Sequence, residues 1–345
     1  MASTLLAIET AVPPFLLDAG ARRTLLETLW PSVKRMGSTI EDAGGVRFLV
    51  VPPGQLMTKR GLGESMEIYA VEATRLAEAA TRRALDAARL GADEIDLVIS
   101  VSCTGYMIPS LDVYVAERLG MRPDVVRLPI TQLGCSGGAA ALGFAHRHLV
   151  AFPGQRVLVI AVELPSLTFQ PDDSSRDNLT AAMVFGDGAA AALLTGADRA
   201  PRGLQLLSAA SQLVGASTQL LGYDLRGDGF HVVLDRRLPK LIETRLGEVV
   251  SSFLEQAEMS RIDFLAAHGG GPRILDGIQS ALGIDDALLA PSRETFDQVG
   301  NVSSASILFT LKNLIGSLGD APSDGLGIGL GPGVSIELMQ LGWRP

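Results

Sequence analysis

The chain has 345 residues, of which 47% are hydrophobic, and its formal net charge is −9. This length and apolar content suffice for a large buried core. The acidic balance argues against general nucleic-acid binding, because contact with a phosphate backbone needs a basic surface. Only two cysteines, Cys103 and Cys135, are present, which excludes a disulfide framework.

Other classes of protein are disfavoured by what the sequence lacks. It contains no CxxC or HExxH cluster, so we expect no metal site. The stretch before Glu9 lacks the basic residues that begin a signal peptide. No run approaches the ~20 apolar residues of a membrane span. We therefore expect a soluble, cytoplasmic α/β protein with no membrane span.

The first half of the chain alternates between helical and buried-strand patterns. An alanine-rich amphipathic pattern predicts a long helix over 70–90, and the apolar run 95–102 predicts a buried strand. A second helix is expected to end at Gly120, and further buried strands at 155–163 and 188–196. This alternation is typical of an α/β protein with a largely buried parallel or mixed sheet.

The second half repeats this order of elements. A long helix over 237–259 precedes a strand at 262–268, and a glycine-interrupted strand pair is expected over 324–341. The segments "EIDLVISVS" and "RIDFLAAHG" each follow a long helix and end in polar residues. We therefore predict two related halves, 1–200 and 201–345, that meet near the turn-like stretch 196–202.

Cys135 lies in "QLGCSGGAAAL", between a short apolar segment and a predicted helix with a glycine-rich first turn. A thiol at a helix N-terminus meets the positive end of the macrodipole, which lowers its pKa and favours the thiolate. Small neighbours would let a substrate approach. The alternative interpretation is a packed core thiol.

Two further residues suit the same chemistry. His268 ends a strand before a glycine cluster, and its alternative role is that of a buried core histidine. Asn301 precedes a predicted helix and is either an N-cap or an amide donor to an oxyanion. Together a thiol, an imidazole and a carboxamide suit acyl transfer followed by decarboxylative condensation.

Five segments occur in the order and approximate spacing of a known family: "QLGCSGGAAAL", "FGDGAAA", "HGGGPRIL", "GNVSSASILF" and "GLGPGVSIE". In these segments the chain resembles the type III polyketide synthases, which are similar to chalcone synthase. The resemblance implies a thiolase-like five-layered αβαβα fold and a homodimer. It also implies CoA thioesters as substrates, among them acyl-CoA and malonyl-CoA, with no cofactor.

The same resemblance implies roles for individual residues. Cys135 would be the nucleophile, His268 its partner and Asn301 the donor that assists decarboxylation. Phe185 and Phe230 would be the two gatekeeping aromatic residues. Ser136 replaces an aromatic residue of the plant enzymes, and "HGGGP" differs from their "HPGG". Both departures indicate the bacterial branch of the family.

The segments "VSCTGYMIPSLD" and "YDLRGDGFHVVLD" resemble the bacterial tetrahydroxynaphthalene synthases. This resemblance and the "GLGPG" segment together imply a set of cavity residues: Cys103, Thr104, Thr168, Tyr223, Ser303, Gly331, Pro332 and Gly333. The alternative for Cys103 is a packed thiol without a role. Ile108 and Pro109 would reach across the dimer interface.

CoA phosphates need basic residues at the mouth of the substrate tunnel. Arg47 is our candidate, with Lys59 and Arg60 nearby in sequence. The alternative interpretation for all three is ordinary surface charge.

The predicted activity is repeated condensation of malonyl-CoA onto an acyl-CoA starter held on Cys135, followed by cyclisation to an alkylpyrone or alkylresorcinol. The small residues Gly215, Ala216 and Ser217 would leave room for an acyl tunnel. Three alternatives remain open at this point: a malonyl-primed tetrahydroxynaphthalene synthase, a ketoacyl synthase III, and a non-catalytic acyl-CoA-binding homologue.

Overall fold

Nine α-helices and thirteen strands are found in residues 2–30, 44–56 and 58–345, the part of the chain that the computed structural model describes. The helices are α1 Ala19–Leu29, α2 Leu62–Ala88, α3 Leu111–Leu119, α4 Gly137–Ala151, α5 Arg176–Val184, α6 Leu238–Gln256, α7 Pro272–Leu282, α8 Ala290–Val299 and α9 Ser306–Ile315. The strands are β1 Ser3–Ala11, β2 Phe15–Leu17, β3 Arg47–Leu49, β4 Leu97–Val101, β5 Val126–Ile130, β6 Arg156–Glu163, β7 Gly188–Gly196, β8 Gly203–Leu213, β9 Leu221–Arg226, β10 Gly229–Leu234, β11 Phe264–Ala267, β12 Ser323–Gly331 and β13 Ser335–Arg344.

Nine of these strands form one continuous sheet in the order β11-β12-β13-β8-β1-β7-β6-β4-β5. Strand β4 pairs in parallel with β5 and β6, and β11 pairs in parallel with β12, while the other neighbours are antiparallel. Among the described strands, those of the first and second halves pair with each other through the short β1–β8 ladder alone, which pairs Ser3 with Leu206 and Thr4 with Gln205. The sheet is therefore mixed, and the join divides it into two half-sheets.

The helices and the two half-sheets form five layers. Helices α2 and α3 cover the outer face of the first half-sheet, and α6 and α7 cover that of the second. Helices α4 and α9 lie between the half-sheets and share one apolar core with both. This arrangement is the predicted αβαβα fold.

Small side chains allow these layers to pack closely. All nine residues of β7, with the sequence GAAAALLTG, are buried, as expected of a strand covered on both faces. Gly138 in α4 meets α9 so closely that an added Cβ would lie 2.0 Å from the carbonyl oxygen of Ser304. The abundance of alanine and glycine in the sequence thus has a direct packing cause.

Most of the predicted elements are confirmed, and their bounds shift by a few residues. The helix predicted over 70–90 begins earlier, at Leu62, and α3 ends where expected because Gly120 has φ 68°. The N-terminal strand β1 and the β9–β10 hairpin were not predicted. The stretch 196–202 connects β7 to β8. None of the helices in the described residues has the length and apolar character needed to cross a membrane.

Candidate active site

Cys135 lies in a single 3₁₀ turn, Gly134–Ser136, that leads directly into α4. Gly134 has φ 54°, and a Cβ there would lie 2.4 Å from the ring of Pro332. The turn after β12 therefore packs against the turn that carries the cysteine, as the "GLGPG" segment suggested. The Sγ atom of Cys135 lies 3.3 Å from Oγ of Ser303.

The predicted lowering of the Cys135 pKa is wrong for this environment. Burial, with a smaller contribution from the charge of Glu163, raises the pKa of the thiol to about 12, although the hydrogen bond with Ser303 offsets part of the increase. The stabilisation that a helix N-terminus gives to the thiolate is outweighed here by the loss of solvation of that thiolate. A thiolate therefore requires a proton acceptor within the cavity.

His268 meets Cys135 and Asn301 in a cavity of about 40 Å³ that Phe185 also lines. The backbone N–H of His268 donates to the carbonyl of Ile328, which extends the β11–β12 ladder by one residue. Its Nδ1 atom is buried and has no hydrogen-bond partner in the described residues. Burial lowers the pKa of His268 to about 4, so the imidazole is neutral and free to accept a proton.

Asn301 is not the N-cap of the following 3₁₀ turn, which begins after Val302 and has no side-chain cap. Its Oδ1 instead accepts a 2.8 Å hydrogen bond from the backbone N–H of Ser303, the first residue of that turn. This contact fixes the amide plane, and Nδ2 is 3.4 Å from the carbonyl oxygen of Gly270, in the loop after His268. Asn301 also lines the cavity that Cys135 and His268 line.

A second cavity of about 610 Å³ opens from Cys135. Phe185, which was predicted to be a gatekeeping residue, lines both cavities, as does Cys135. Tyr223 and Phe230 meet edge to face at 5.6 Å between ring centroids. Burial raises the pKa of Tyr223 well above its usual value, so the phenol remains a neutral hydrogen-bond donor. Of the residues predicted to line this space, the structure brings the following to its wall: Cys103, Tyr223, Phe230, Ser303, Pro332 and Gly333.

Three of the predicted cavity residues lie elsewhere. Thr104 is fully buried, and its hydroxyl donates to Glu163, so it does not face the 610 Å³ cavity. Thr168 lines a smaller space behind Phe185, although its side chain forms a hydrogen bond with Tyr223. Gly331 lies at the cavity around His268.

Glu163 is a site residue that the sequence interpretation missed. It ends β6 and is completely buried, and its carboxylate accepts hydrogen bonds from the backbone N–H of Cys103 at 3.1 Å and from the hydroxyls of Thr104 and Ser304. Burial raises its pKa. The sequence did contain a signal for Glu163, since this acidic residue ends the apolar run "RVLVIAVE". A carboxylate buried at that position must be paired or functional.

The Asp187 carboxylate fixes the segment that carries Phe185. It accepts hydrogen bonds from the backbone N–H groups of Val50 at 2.7 Å and Ser166 at 2.9 Å. Phe185 and Asn301 also form a parallel bridge, in which the N–H of Gly186 donates to the carbonyl of Asn301. Phe185 and Asn301 are thus held next to each other by two paired stretches of backbone.

The structure corrects the expected CoA contacts. Arg47 is 1% exposed, and its guanidinium donates to the backbone carbonyls of Met183 and Phe296, so it holds the interior together and is not at a tunnel mouth. Lys59 is 2.6 Å from Asp172. Arg60 donates to the carbonyl of Gln55 and lies 3.8 Å from Glu64.

Lys59 also lies in a strongly acidic setting. The cavity beside it is lined by Asp172, Asp173, Asp177, Asp224 and Asp228. Phosphate groups would be repelled there. No group of three or more metal-ligating side chains occurs in the described part of the chain.

The loop after β4 projects from the surface. The Ile108–Pro109 peptide bond is cis, and Ile108 is 79% exposed. Tyr106 in the same loop is also exposed, as are Val126 and Leu128 on the edge strand β5. All four are exposed apolar or aromatic side chains, two in the loop after β4 and two on β5, the edge strand that pairs with β4.

Comparison with known proteins agrees with this geometry. Residues 54–199 match the family profile of the N-terminal domain of chalcone and stilbene synthases, and residues 205–342 match that of the C-terminal domain. A 1,3,6,8-tetrahydroxynaphthalene synthase of Streptomyces coelicolor is 35% identical over 308 residues, which are 88% of this chain and 82% of that one.

A second relative and a solved structure extend the comparison. The α-pyrone synthesis polyketide synthase-like Pks18 of Mycobacterium tuberculosis is 30% identical, over 80% of this chain and 72% of its own. The crystal structure of the Streptomyces coelicolor tetrahydroxynaphthalene synthase, described as a bacterial type III polyketide synthase, superposes with a TM-score of 0.94. It covers 99% of both chains at 33% identity.

Proposed function

Because the chain belongs to the family of chalcone and stilbene synthases, the type III polyketide synthases, we propose that Cys135, His268 and Asn301 carry out its condensation reaction. The observation that supports this most directly is that all three line one cavity, behind the gatekeeping Phe185. The family assignment decides against a ketoacyl synthase III of fatty-acid synthesis.

Two neutral groups of the site, the Cys135 thiol and the His268 imidazole, load the starter onto the enzyme. His268 takes the proton of the Cys135 thiol, and the thiolate attacks the carbonyl carbon of the incoming thioester. A carbon–sulfur bond to Cys135 forms, and the bond to the CoA sulfur breaks. The imidazolium returns its proton to the departing CoA thiolate, which restores the neutral histidine.

Decarboxylation and condensation follow in the same cavity. Malonyl-CoA loses CO₂, and the electron pair of the broken bond forms an enolate whose oxygen accepts a hydrogen bond from the Asn301 amide. The enolate carbon attacks the acyl group on Cys135, a carbon–carbon bond forms, and the Cys135 thiolate leaves. A donor fixed by its contact with Ser303 needs no reorganisation as this charge develops.

For the starter and product, we propose priming by malonyl-CoA and an aromatic product of the tetrahydroxynaphthalene type. The similarity to a synthase of that name supports this, as does the neutral Tyr223 hydroxyl, which can donate to the keto groups of a growing chain. The acyl tunnel expected at 215–217 is not supported: Gly215 and Ala216 are exposed, and the buried Ser217 hydroxyl is bonded to the carbonyl of Gly333.

An acyl-primed alkylpyrone or alkylresorcinol remains the second candidate, because one observation favours it. Much of the 610 Å³ cavity is apolar, with Leu221, Leu225 and Val232 in its wall beside the two gatekeeping rings. Such a surface would accept a hydrocarbon starter. The relative Pks18, whose name records α-pyrone synthesis, is also similar to this chain.

The test is incubation of the purified protein with isotope-labelled malonyl-CoA, with and without a panel of acyl-CoA starters, and mass spectrometry of the products. Malonyl priming predicts a fully labelled aromatic product without any starter, and a strong loss of it in Tyr223→Phe. Products that appear only with acyl-CoA, and whose mass follows the starter length, would establish the second candidate. If Cys135 is acylated neither with nor without a starter, the protein is a non-catalytic binding protein.

We also propose that two copies of the chain associate through the apolar surface formed by Tyr106, Ile108, Val126 and Leu128. The edge position of β5 leaves this surface uncovered, and the family resemblance implies a homodimer. Light scattering should give twice the mass of 36.3 kDa, and Ile108→Glu should shift the protein towards monomer. A monomeric wild type would refute the assignment.

A further inference from the structure

The fold brings the two cysteines of the chain close together. Cys103 follows strand β4, and Cys135 follows strand β5. These strands are parallel neighbours in which Val101 pairs with Ile130, and the N–H of Ser102 donates to the carbonyl of Ile130. Neighbouring strands lie about 4.8 Å apart, and the carboxyl ends of parallel strands meet at the same edge of a sheet. Both thiols are therefore delivered to one place.

The two sulfur atoms contact the same hydroxyl group. The Oγ atom of Ser303 lies 3.3 Å from the Sγ of Cys103 and 3.3 Å from the Sγ of Cys135. The two sulfur atoms are therefore no more than twice that distance apart. Both cysteines are only partly buried, and both line the cavity of about 610 Å³. They are not bonded to each other, so the pair is in its reduced form.

Side-chain rotation is sufficient to bring the two sulfur atoms into bonding distance. A disulfide places its sulfur atoms about 2 Å apart. When a cysteine side chain changes from one staggered conformer to another, its sulfur moves by roughly 3 Å. Rotation of Cys103 and Cys135 towards each other closes the gap once the Ser303 hydroxyl has turned aside. The backbone that carries the two cysteines can therefore stay in place.

Each thiol has its own proton acceptor, and the two acceptors differ in charge. His268 lines one cavity with Cys135, and its neutral imidazole can accept a proton. The Cys103 thiol donates to Oε2 of Glu163 over 3.5 Å. Burial, and then the charge of Glu163, raise the pKa of Cys103 well above its usual value. Cys135 is therefore the thiol that ionises first, while Cys103 keeps its proton.

We propose that Cys103 is a resolving thiol, which forms a reversible disulfide with Cys135 when hydrogen peroxide oxidises that nucleophile. The Cys135 thiolate attacks one oxygen of the peroxide, a sulfur–oxygen bond forms, and the oxygen–oxygen bond breaks. The hydroxide that leaves takes the proton held by His268 and becomes water.

The second step joins the two side chains. The Cys103 sulfur attacks the sulfur of the Cys135 sulfenic acid, the sulfur–sulfur bond forms, and the sulfur–oxygen bond breaks. Glu163 takes the Cys103 proton and passes it to the hydroxide that leaves, which becomes a second water. Two thiols are thus oxidised to one disulfide, and one peroxide is reduced to two waters.

The disulfide would stop acyl loading without destroying the nucleophile. Loading needs a free sulfur on Cys135, and a sulfenic acid that meets no thiol is oxidised further to a sulfinic acid, which thiols do not reduce. Cys103 lies close enough to react with the sulfenic acid first. This consequence rests on the proposed function, whereas the disulfide itself can be detected without any catalysis.

Intact-protein mass spectrometry after treatment with hydrogen peroxide tests the proposal. Because the chain has only two cysteines, a loss of two hydrogen atoms from the monomer identifies the bond between Cys103 and Cys135. Free thiols, counted with an alkylating reagent in denaturant, should fall from two per chain to none. Dithiothreitol should then restore both. Cys135 that has been acylated beforehand should be protected, because its sulfur no longer attacks the peroxide.

Cys103→Ser is the matched variant, since its hydroxyl can still donate to Glu163. At the same dose of peroxide its Cys135 should gain two or more oxygen atoms. Dithiothreitol should then recover about tenfold less free Cys135 thiol than in the wild type. In Cys135→Ser, the protonated Cys103 should keep its thiol at that dose.

Three results would overturn the proposal. One is oxidation of wild-type Cys135 to the sulfinic acid without any loss of two hydrogen atoms. Another is a disulfide between two chains, seen as a doubled mass without reductant. The third is equal recovery of the Cys135 thiol in the wild type and in Cys103→Ser.

The same samples separate this proposal from the proposed function. If the disulfide forms and is reversed, but the reduced protein neither acylates Cys135 nor forms product, the proposed function fails and the thiol pair stands. If the reduced protein forms product and no disulfide appears, the thiol pair fails and the proposed function stands.

Discussion

Two polar clusters lie on either side of Ser303, and they differ in how fully their hydrogen bonds are satisfied. In one, Cys135 contacts the Ser303 hydroxyl at 3.3 Å, and the nearby His268 has an unpartnered Nδ1. In the other, Glu163 accepts hydrogen bonds from Cys103, Thr104 and Ser304.

Ser303 links the two clusters. Its Oγ also lies 3.3 Å from the Sγ of Cys103, and its backbone has φ 46°, a strained conformation for a residue other than glycine. The comparison teaches that Cys135, His268 and Asn301 line a cavity that a substrate can enter, although the Nδ1 atom of His268 itself is buried. The Glu163 carboxylate beside these groups accepts several hydrogen bonds and holds the adjacent wall of the site in place. The predictions below test this division, from the largest effect to the smallest.

Replacement of the two thiols should have opposite outcomes. Cys135→Ala removes the atom that holds the acyl group, and condensation should be abolished in a product assay by mass spectrometry, while malonyl-CoA decarboxylation can persist. Cys103→Ala should retain acylation of Cys135, seen as a mass increase of the intact protein. If Cys103→Ala also prevented acylation, the two thiols would act together and the division between the clusters would fail.

Asn301→Ala should slow malonyl-CoA decarboxylation by about 10²-fold, the scale for loss of one oxyanion donor. Asn301→Asp is the matched variant, because it keeps the oxygen that accepts from the Ser303 N–H but not the N–H donor. Both should lose decarboxylation, measured as release of labelled CO₂, and only the alanine variant should also lose the contact with Ser303. Normal decarboxylation in both variants would limit Asn301 to a structural contact.

Glu163→Gln should destabilise the protein by about 1–3 kcal/mol, the cost of leaving buried polar groups unsatisfied. The glutamine keeps one acceptor oxygen but places an NH₂ donor among groups that already donate: the Cys103 N–H and the Thr104 and Ser304 hydroxyls. Denaturant unfolding measures the loss. If the variant kept its stability but lost its activity, Glu163 would instead belong to the group of residues that take part in the reaction.

The patterns of the buried strands and long helices predicted an α/β protein with a buried sheet, whereas the five-layered fold was implied by the family resemblance. Strand β7 was predicted with its observed bounds, since its apolar run is flanked by glycines. Strand β1 was missed because its pattern, STLLAIETA, mixes polar and apolar residues, and only its pairing with β7 and β8 makes it a central strand. That pairing is long-range and has no local signal.

The sequence indicated some of the site residues and misplaced others, again because long-range contacts leave no local signal. Cys135, His268 and Asn301 sit in distinctive glycine-rich segments, and the structure brings all three to one cavity. Residue type alone suggested Arg47 for phosphate, but its burial depends on distant elements, since it donates to carbonyls of Met183 and Phe296.

The smallest expected effect concerns two buried histidines, which differ in whether the Nδ1 atom of the imidazole has a hydrogen-bond partner. The Nδ1 of His146 lies 3.0 Å from the Ser3 hydroxyl, whereas the Nδ1 of His268 has no partner in the described residues. Burial lowers the pKa of both to about 4. Since the unfolded value is about 6.5, the unfolded chain binds these protons more readily.

Each histidine should therefore contribute stability that is complete above pH 6.5 and is lost as the pH falls towards 4. At pH 5.5 the loss from His268 is about 1.4 kcal/mol. His268→Gln should remove that part of the pH dependence in denaturant unfolding between pH 5 and 7. At pH 7 it should cost less stability than His146→Gln, which also breaks the contact with Ser3. An equal cost at pH 7 would show that His268 is held as firmly as His146, and the unsatisfied imidazole would lose its place among the reacting groups.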